Sequence, residues 1–94
     1  MINIEYLLKY LSNEQLKELK DKGNYIILEN LTDFRVTVEK NIRFLIKYGV
    51  KDIDKVVLKM LDEISLLENE FENKILDYEK NLSQEEVVHM LENM

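Results

Sequence analysis

This chain has no cysteine, no proline, no tryptophan and no alanine, only two glycines and a single histidine. Without cysteine there is no disulfide framework and no thiolate chemistry. Without proline the main helix breaker is missing. Gly23 and Gly49 stand alone, so no glycine-rich loop cradles a phosphate. No apolar run approaches the roughly 18–20 residues that cross a membrane. The N-terminal M-I-N-I-E-Y-L-L-K-Y lacks the basic region, apolar core and small-residue cleavage site of a signal peptide. A cytoplasmic protein is the expectation. The missing alanine, set beside abundant Lys, Asn, Ile, Leu and Glu, is the composition of an AT-rich coding sequence, in which lysine is partly a default surface residue.

What is present is a soluble, globular composition of 94 residues, 46% apolar and 34% charged. A chain of this length reads as one domain over residues 1–94, with a modest core and little room for a deep interior pocket. The net charge of −6 is unevenly spread. Residues 1–60 carry 11 Lys/Arg and 9 Asp/Glu; residues 61–94 carry 2 and 10. Such a split implies either two surfaces with different partners or one end folding against the other.

Two capping boxes mark helix starts, Ser12-Asn13-Glu14-Gln15 and Ser83-Gln84-Glu85-Glu86. The first predicts a helix from Ser12 to about Lys22, ended by Gly23 in a left-handed conformation. A short apolar helix over about 3–10 precedes it. Residues 24–38 read two ways. Arg35-Val36-Thr37-Val38 alternates as a strand would, giving a hairpin of 25–28 with 34–38. Phe34, Val38, Ile42 and Leu45 also form one helical face, with Thr32 or Asp33 as cap. The helical reading, from about 33 to a stop at Gly49, is preferred. Asp52 is then expected to cap the next helix.

Ile53, Val56, Met60, Ile64, Leu67, Phe71, Ile75, Tyr78 and Leu82 recur every 3.6 residues on average, the α-helical period. That pattern fits one long helix or two with a break near Asp62–Ser65. Leu-Glu-Asn at 28–30 and Glu-Lys-Asn at 39–41 recur in the same order at 67–69 and 79–81. A spacing near 39–40 is that of helix-pair repeats. The predicted fold is all-α: a compact bundle or short two-repeat stack of about five helices. The alternative is α+β with a small hairpin at 25–38.

Ile42-x-Phe44-Leu45-x-x-x-Gly49-Val50-x-x-x-Asp54-x-Val56, followed by Ile64-x-Leu66-Leu67, resembles the repeat of the mitochondrial transcription termination factor family over roughly residues 25–91. The resemblance implies helix–helix–3₁₀ units in a curved stack, with nucleic acid bound in a basic groove. The family's proline before the leucine pair is absent; Asn24 and Glu63 stand near those positions.

No catalytic constellation is present. Ser12, Ser65 and Ser83 lie near no nucleophile elbow, and no carboxylate pair stands out as acid and base. Glu86-x-x-His89 has the spacing of a di-iron motif, but one histidine cannot complete such a site. Neither an enzyme, a metal nor a cofactor is expected. Two non-catalytic functions remain. In the first, a protein-binding regulator or inhibitor docks its acidic C-terminal half on a partner, itself basic or nucleic-acid-binding, through Glu68, Phe71, Glu72, Ile75, Tyr78 and Glu79. The long apolar stripe then also allows a homodimer. In the second, the resemblance implies a nucleic-acid-binding face of Arg35, Arg43, Lys47, Lys51, Lys55 and Lys59, cations spaced mostly by four and bent at Gly49. Phe34, Phe44, Phe71 and Tyr78 are predicted core; Tyr6, Tyr10, Tyr25 and Tyr48 are predicted to ring an interface with their hydroxyls outward.

Overall fold

Both capping boxes close. In the computed structural model, which describes residues 1–94, the Gln15 N–H donates to Ser12 Oγ at 3.1 Å and the Ser12 N–H donates to Gln15 Oε1 at 2.8 Å. Ser83 and Glu86 repeat the exchange at 3.2 and 2.9 Å. The helices are α1 Asn13–Lys22, α2 Tyr25–Asp33, α3 Arg35–Tyr48, α4 Ile53–Lys59, α5 Glu68–Asp77 and α6 Gln84–Glu92, with 3₁₀ turns at Glu5–Lys9 and Tyr78–Lys80. There is no strand, and the fold is all-α. Replacing Ser12 or Ser83 with alanine is expected to cost about 1 kcal/mol each in urea unfolding, the usual worth of a serine N-cap.

Residues 24–38 are helical, and the hairpin is excluded. Asn24 is the cap that starts α2, its Oδ1 accepting from the N–H groups of Ile26 and Ile27 at 2.8 and 3.4 Å. Thr32 is no cap for α3. It lies inside α2, donating to the Leu28 carbonyl and accepting from the Asn3 N–H. Phe34 is the joint between α2 and α3 and is half exposed, so it is not core. The apolar segment near the N-terminus is a 3₁₀ turn, not an α-helix.

The two glycines differ. Gly49 ends α3 at φ 126°, a region that L side chains rarely adopt. Gly23 is extended at φ −70°, not left-handed. Glycine is needed there for space, because a Cβ would lie 2.4 Å from the Leu19 carbonyl oxygen. Gly49→Ala is expected to destabilise by about 1–2 kcal/mol from backbone strain alone, read as a lowered urea midpoint.

The 3.6-residue stripe does not run as one helix. It breaks over residues 60–67, which form turns between α4 and α5. Tertiary contacts reward the break. Asn41 of α3 donates its Nδ2 hydrogens to the carbonyls of Ile64 and Leu66, both at 2.8 Å, and Ile64 is fully buried. Carbonyls left orphaned by unwinding thus find a donor. The duplicated tripeptides do not mark a structural repeat. Glu39–Asn41 lies inside α3, whereas Glu79–Asn81 closes a 3₁₀ turn.

Helix directions follow from cross-chain contacts. Lys40 pairs with Glu68 at 3.2 Å, Phe44 meets Phe71 edge-on at 6.3 Å between ring centres, and Tyr48 bonds Glu79 at 2.6 Å. Contacts advance together along both helices, so α3 and α5 lie side by side and parallel. α1 and α4 also share a groove, with Gln15 donating to Asp54 at 2.9 Å. The apolar side chains between these helices join in one core, which includes Leu31, Val38, Ile42, Leu45, Val56, Ile64, Phe71, Ile75, Val87 and Leu91. No helix is long and apolar enough to cross a membrane.

Candidate functional site

α3 presents its apolar side, Val38, Ile42, Leu45 and Tyr48, to the core. Its opposite side carries Lys40, Arg43 and Lys47, all exposed. Beside it, α5 buries Phe71 and Ile75 and turns Glu68 and Glu72 toward the α3 cations. The space between is an open cleft of about 740 Å³, with Phe44 and Tyr48 at its base and Gln84 at one end. A second cleft of about 790 Å³ adjoins it at Tyr48 and Gln84 and runs past Gly49 and Lys51 to Glu85, His89 and Glu92 of α6.

Parts of the expected acidic and basic surfaces, Glu68 and Glu72 against Arg43, Lys47 and Lys51, therefore line one depression made of these two adjoining clefts. Its lining holds four cations, Lys40, Arg43, Lys47 and Lys51, and four carboxylates, Glu68, Glu72, Glu85 and Glu92. Opposite charges balance there. Along this cleft, the uneven charge of the chain amounts to its acidic end folded against its basic middle.

Individual residues of the two sequence-derived sets separate. Phe71 and Ile75 are fully buried in the chain's own core and offer no surface to a partner. Tyr78 is half-buried against that core. Glu79 accepts from the Tyr48 hydroxyl. Glu68 and Glu72 remain at the cleft, the first already paired with Lys40. Of the cations, Arg35 stands apart. Its guanidinium lies 4.9 Å over the Tyr6 ring and 3.7 Å from Glu39, which also pairs with Lys9 at 2.7 Å. Those partners hold the Glu39 carboxyl below its usual range, the Lys9 hydrogen bond contributing most. Arg43, Lys47 and Lys51 line the cleft, whereas Lys55 and Lys59 lie on the exposed side of α4 outside it; none of the five forms an ion pair.

Two tyrosines expected outside are inside. Tyr6 donates to the Leu31 carbonyl at 2.5 Å, and burial pushes its phenol well up. Tyr48 is 8% exposed and is pushed up to about 12, by burial first and then by its bond to Glu79. Sequence reasoning missed Lys40, Phe44, Tyr48 and Gln84 as cleft residues. Lys40 lies three residues before Arg43, a spacing that also shares a helix face, and this was the available signal. Gln84, hidden inside a capping box, donates to the Tyr48 carbonyl at 2.6 Å, a contact with no local signature.

Asp52 stands at the start of α4 but its side chain caps nothing. Glu92, from the far end of the chain, accepts from the N–H groups of Asp52 and Lys51, just before the helix, at 2.9 and 2.8 Å. These bonds hold its carboxyl below the ordinary range, the Asp52 N–H contributing most. A carboxyl with a lowered folded pKa stabilises above its unfolded value of about 4.3. That contribution is lost as pH falls through the folded value. Glu92→Gln keeps an acceptor that does not titrate. Thermal melts between neutral and acid pH are therefore expected to show a shallower loss of stability below about pH 4.3 than in the native chain.

Glu86 spends its carboxylate on the Ser83 N–H. No group of three or more His, Asp or Glu is placed to hold a metal ion. A scan of family models, a search of curated proteins and a search of solved structures each return no match.

Proposed function

We propose that this protein is a non-catalytic helical module that binds a polypeptide along the cleft between α3 and the α5–α6 wall. One observation carries the reading: the cleft is lined by equal numbers of cations and carboxylates. Nucleic-acid affinity at physiological salt comes mainly from cations that neutralise phosphates and release counterions. A phosphate seated between α3 and α5 meets the carboxylates of Glu68 and Glu72 as well as the α3 cations. A polypeptide segment carrying both signs of charge satisfies both walls, and the partly buried ring of Phe44 gives its apolar side chains a surface.

A second reading, nucleic-acid binding as the family resemblance implies, has its own support. Lys51, Lys55 and Lys59 are exposed without ion-pair partners, and the turns at 60–67 fall where the family's helices are separated. One pair of variants separates the two. In the first reading, Arg43→Glu/Lys47→Glu and Glu68→Lys/Glu72→Lys each abolish capture of a protein partner. Fluorescence anisotropy then detects no nucleic acid at low or high salt. Binding to DNA or RNA that collapses with salt, weakened by the first variant and strengthened by the second, overturns the polypeptide reading.

A further inference from the structure

Because α3 and α5 are parallel neighbours, their charges form two parallel rows on one face. Lys40, Arg43 and Lys47 make the basic row, and Glu68 and Glu72 make the acidic row beside it. The symmetry of that pattern is restrictive. A two-fold axis across the rows would set like charge on like. A two-fold axis parallel to the helices sets the basic row of each copy over the acidic row of the other, with the helices still aligned. Isologous contacts require this kind of self-complementarity. The tips are available to make it: Lys40 and Glu68 keep about half of their side-chain surface despite their mutual pair, and Arg43 and Lys47 are exposed with no carboxylate within ion-pair distance.

We propose that a second copy of this chain is a partner of the cleft, docked about a two-fold axis parallel to α3 and α5, with Arg43 and Lys47 of each copy facing Glu68 and Glu72 of the other. The inference rests on the polypeptide reading and names the polypeptide.

Sedimentation equilibrium of the full chain is the test. At low salt the mass is expected to rise with concentration from 11.3 kDa toward twice that value, and high salt is expected to reverse the rise because exposed charges are screened. Arg43→Glu/Lys47→Glu makes the α3 row net negative, with Lys40 its one remaining cation, and Glu68→Lys/Glu72→Lys leaves both rows basic. Each variant alone is expected to stay at the single-copy mass. An equimolar mixture is expected to restore a two-copy species, and circular dichroism of each variant controls for folding. A native chain that stays at the single-copy mass at all concentrations and salts overturns the proposal. So does a dimer that both variants retain. If the native chain is monomeric while both wall variants still abolish capture of a protein partner, the self-association fails and the polypeptide reading stands.

Discussion

Phe71→Ala is expected to lower the unfolding free energy by about 3–5 kcal/mol, the range for deleting a buried phenylalanine. For a domain whose total stability is about 5–15 kcal/mol this is a large fraction. Phe71 has no exposed surface and sits edge-on to Phe44, so its removal opens a void between α5 and α3. The same void loosens the two walls of the cleft relative to each other. A urea titration reads the change as a lowered midpoint with little change in slope. A loss under about 1 kcal/mol would mean that the ring is not packed in the core, and would return Phe71 to the surface where its place in the sequence-derived docking set put it.

Asn41→Asp is expected to cost about 3–5 kcal/mol at neutral pH through a different mechanism. Asn41 is 1% exposed, and its Oδ1 makes no hydrogen bond. The residue is held for its two Nδ2 donors, which serve the Ile64 and Leu66 carbonyls. Aspartate replaces those donors with an oxygen, leaves both carbonyls unserved and sets a buried negative charge against them. Burial raises the pKa of such a carboxyl, so the folded variant binds its proton more tightly than the unfolded chain does. The variant's stability is therefore expected to rise as pH falls toward the unfolded value of about 3.9. Glu39, Asp54, Glu86 and Glu92, whose carboxyls are held below their usual range in the native chain, contribute in the opposite direction. Guanidinium titrations of native and variant chains at neutral and mildly acid pH test the inversion. A variant whose stability falls with pH in parallel with the native chain would rule out this role for Asn41.

Helix starts were legible where one short segment contained both partners of the cap. Ser12 with Gln15 and Ser83 with Glu86 need only three residues of separation, so each box forms wherever the chain goes. Gly49 was legible for the same reason, since only the local backbone decides that α3 stops in a left-handed conformation. Asn24 was within reach but hidden. The apolar run Tyr25-Ile26-Ile27-Leu28 looks equally like a strand, and only the packing of Leu28 and Leu31 against the core favours the helix.

The break over 60–67 was half legible. Its place was readable, but its occurrence depends on donors supplied by Asn41, more than twenty residues earlier. Asp52 does stand at the N-cap of α4, but its side chain makes no capping bond; its own N–H is held by Glu92, about forty residues away. Two members of the expected docking set, Phe71 and Ile75, are buried for a similar reason. Phe71 and Ile75 carry the right pattern for an interface and the right pattern for a core, and periodicity cannot separate the two.

Residue order alone specifies the capped starts of α1 and α6, the stop at Gly49 and an acidic C-terminal half. All of these depend on interactions within one helical turn or on composition. It takes the folded arrangement to bring the acidic half alongside the basic ladder, as α5 packs parallel to α3 and α6 closes over Tyr48 and Gly49. The physical reason is that burial of Phe71, Ile75, Val87 and Leu91 fixes where those helices lie, and their surface charges follow. Two charge runs that look like separate docking faces in one dimension become the facing walls of a single cleft.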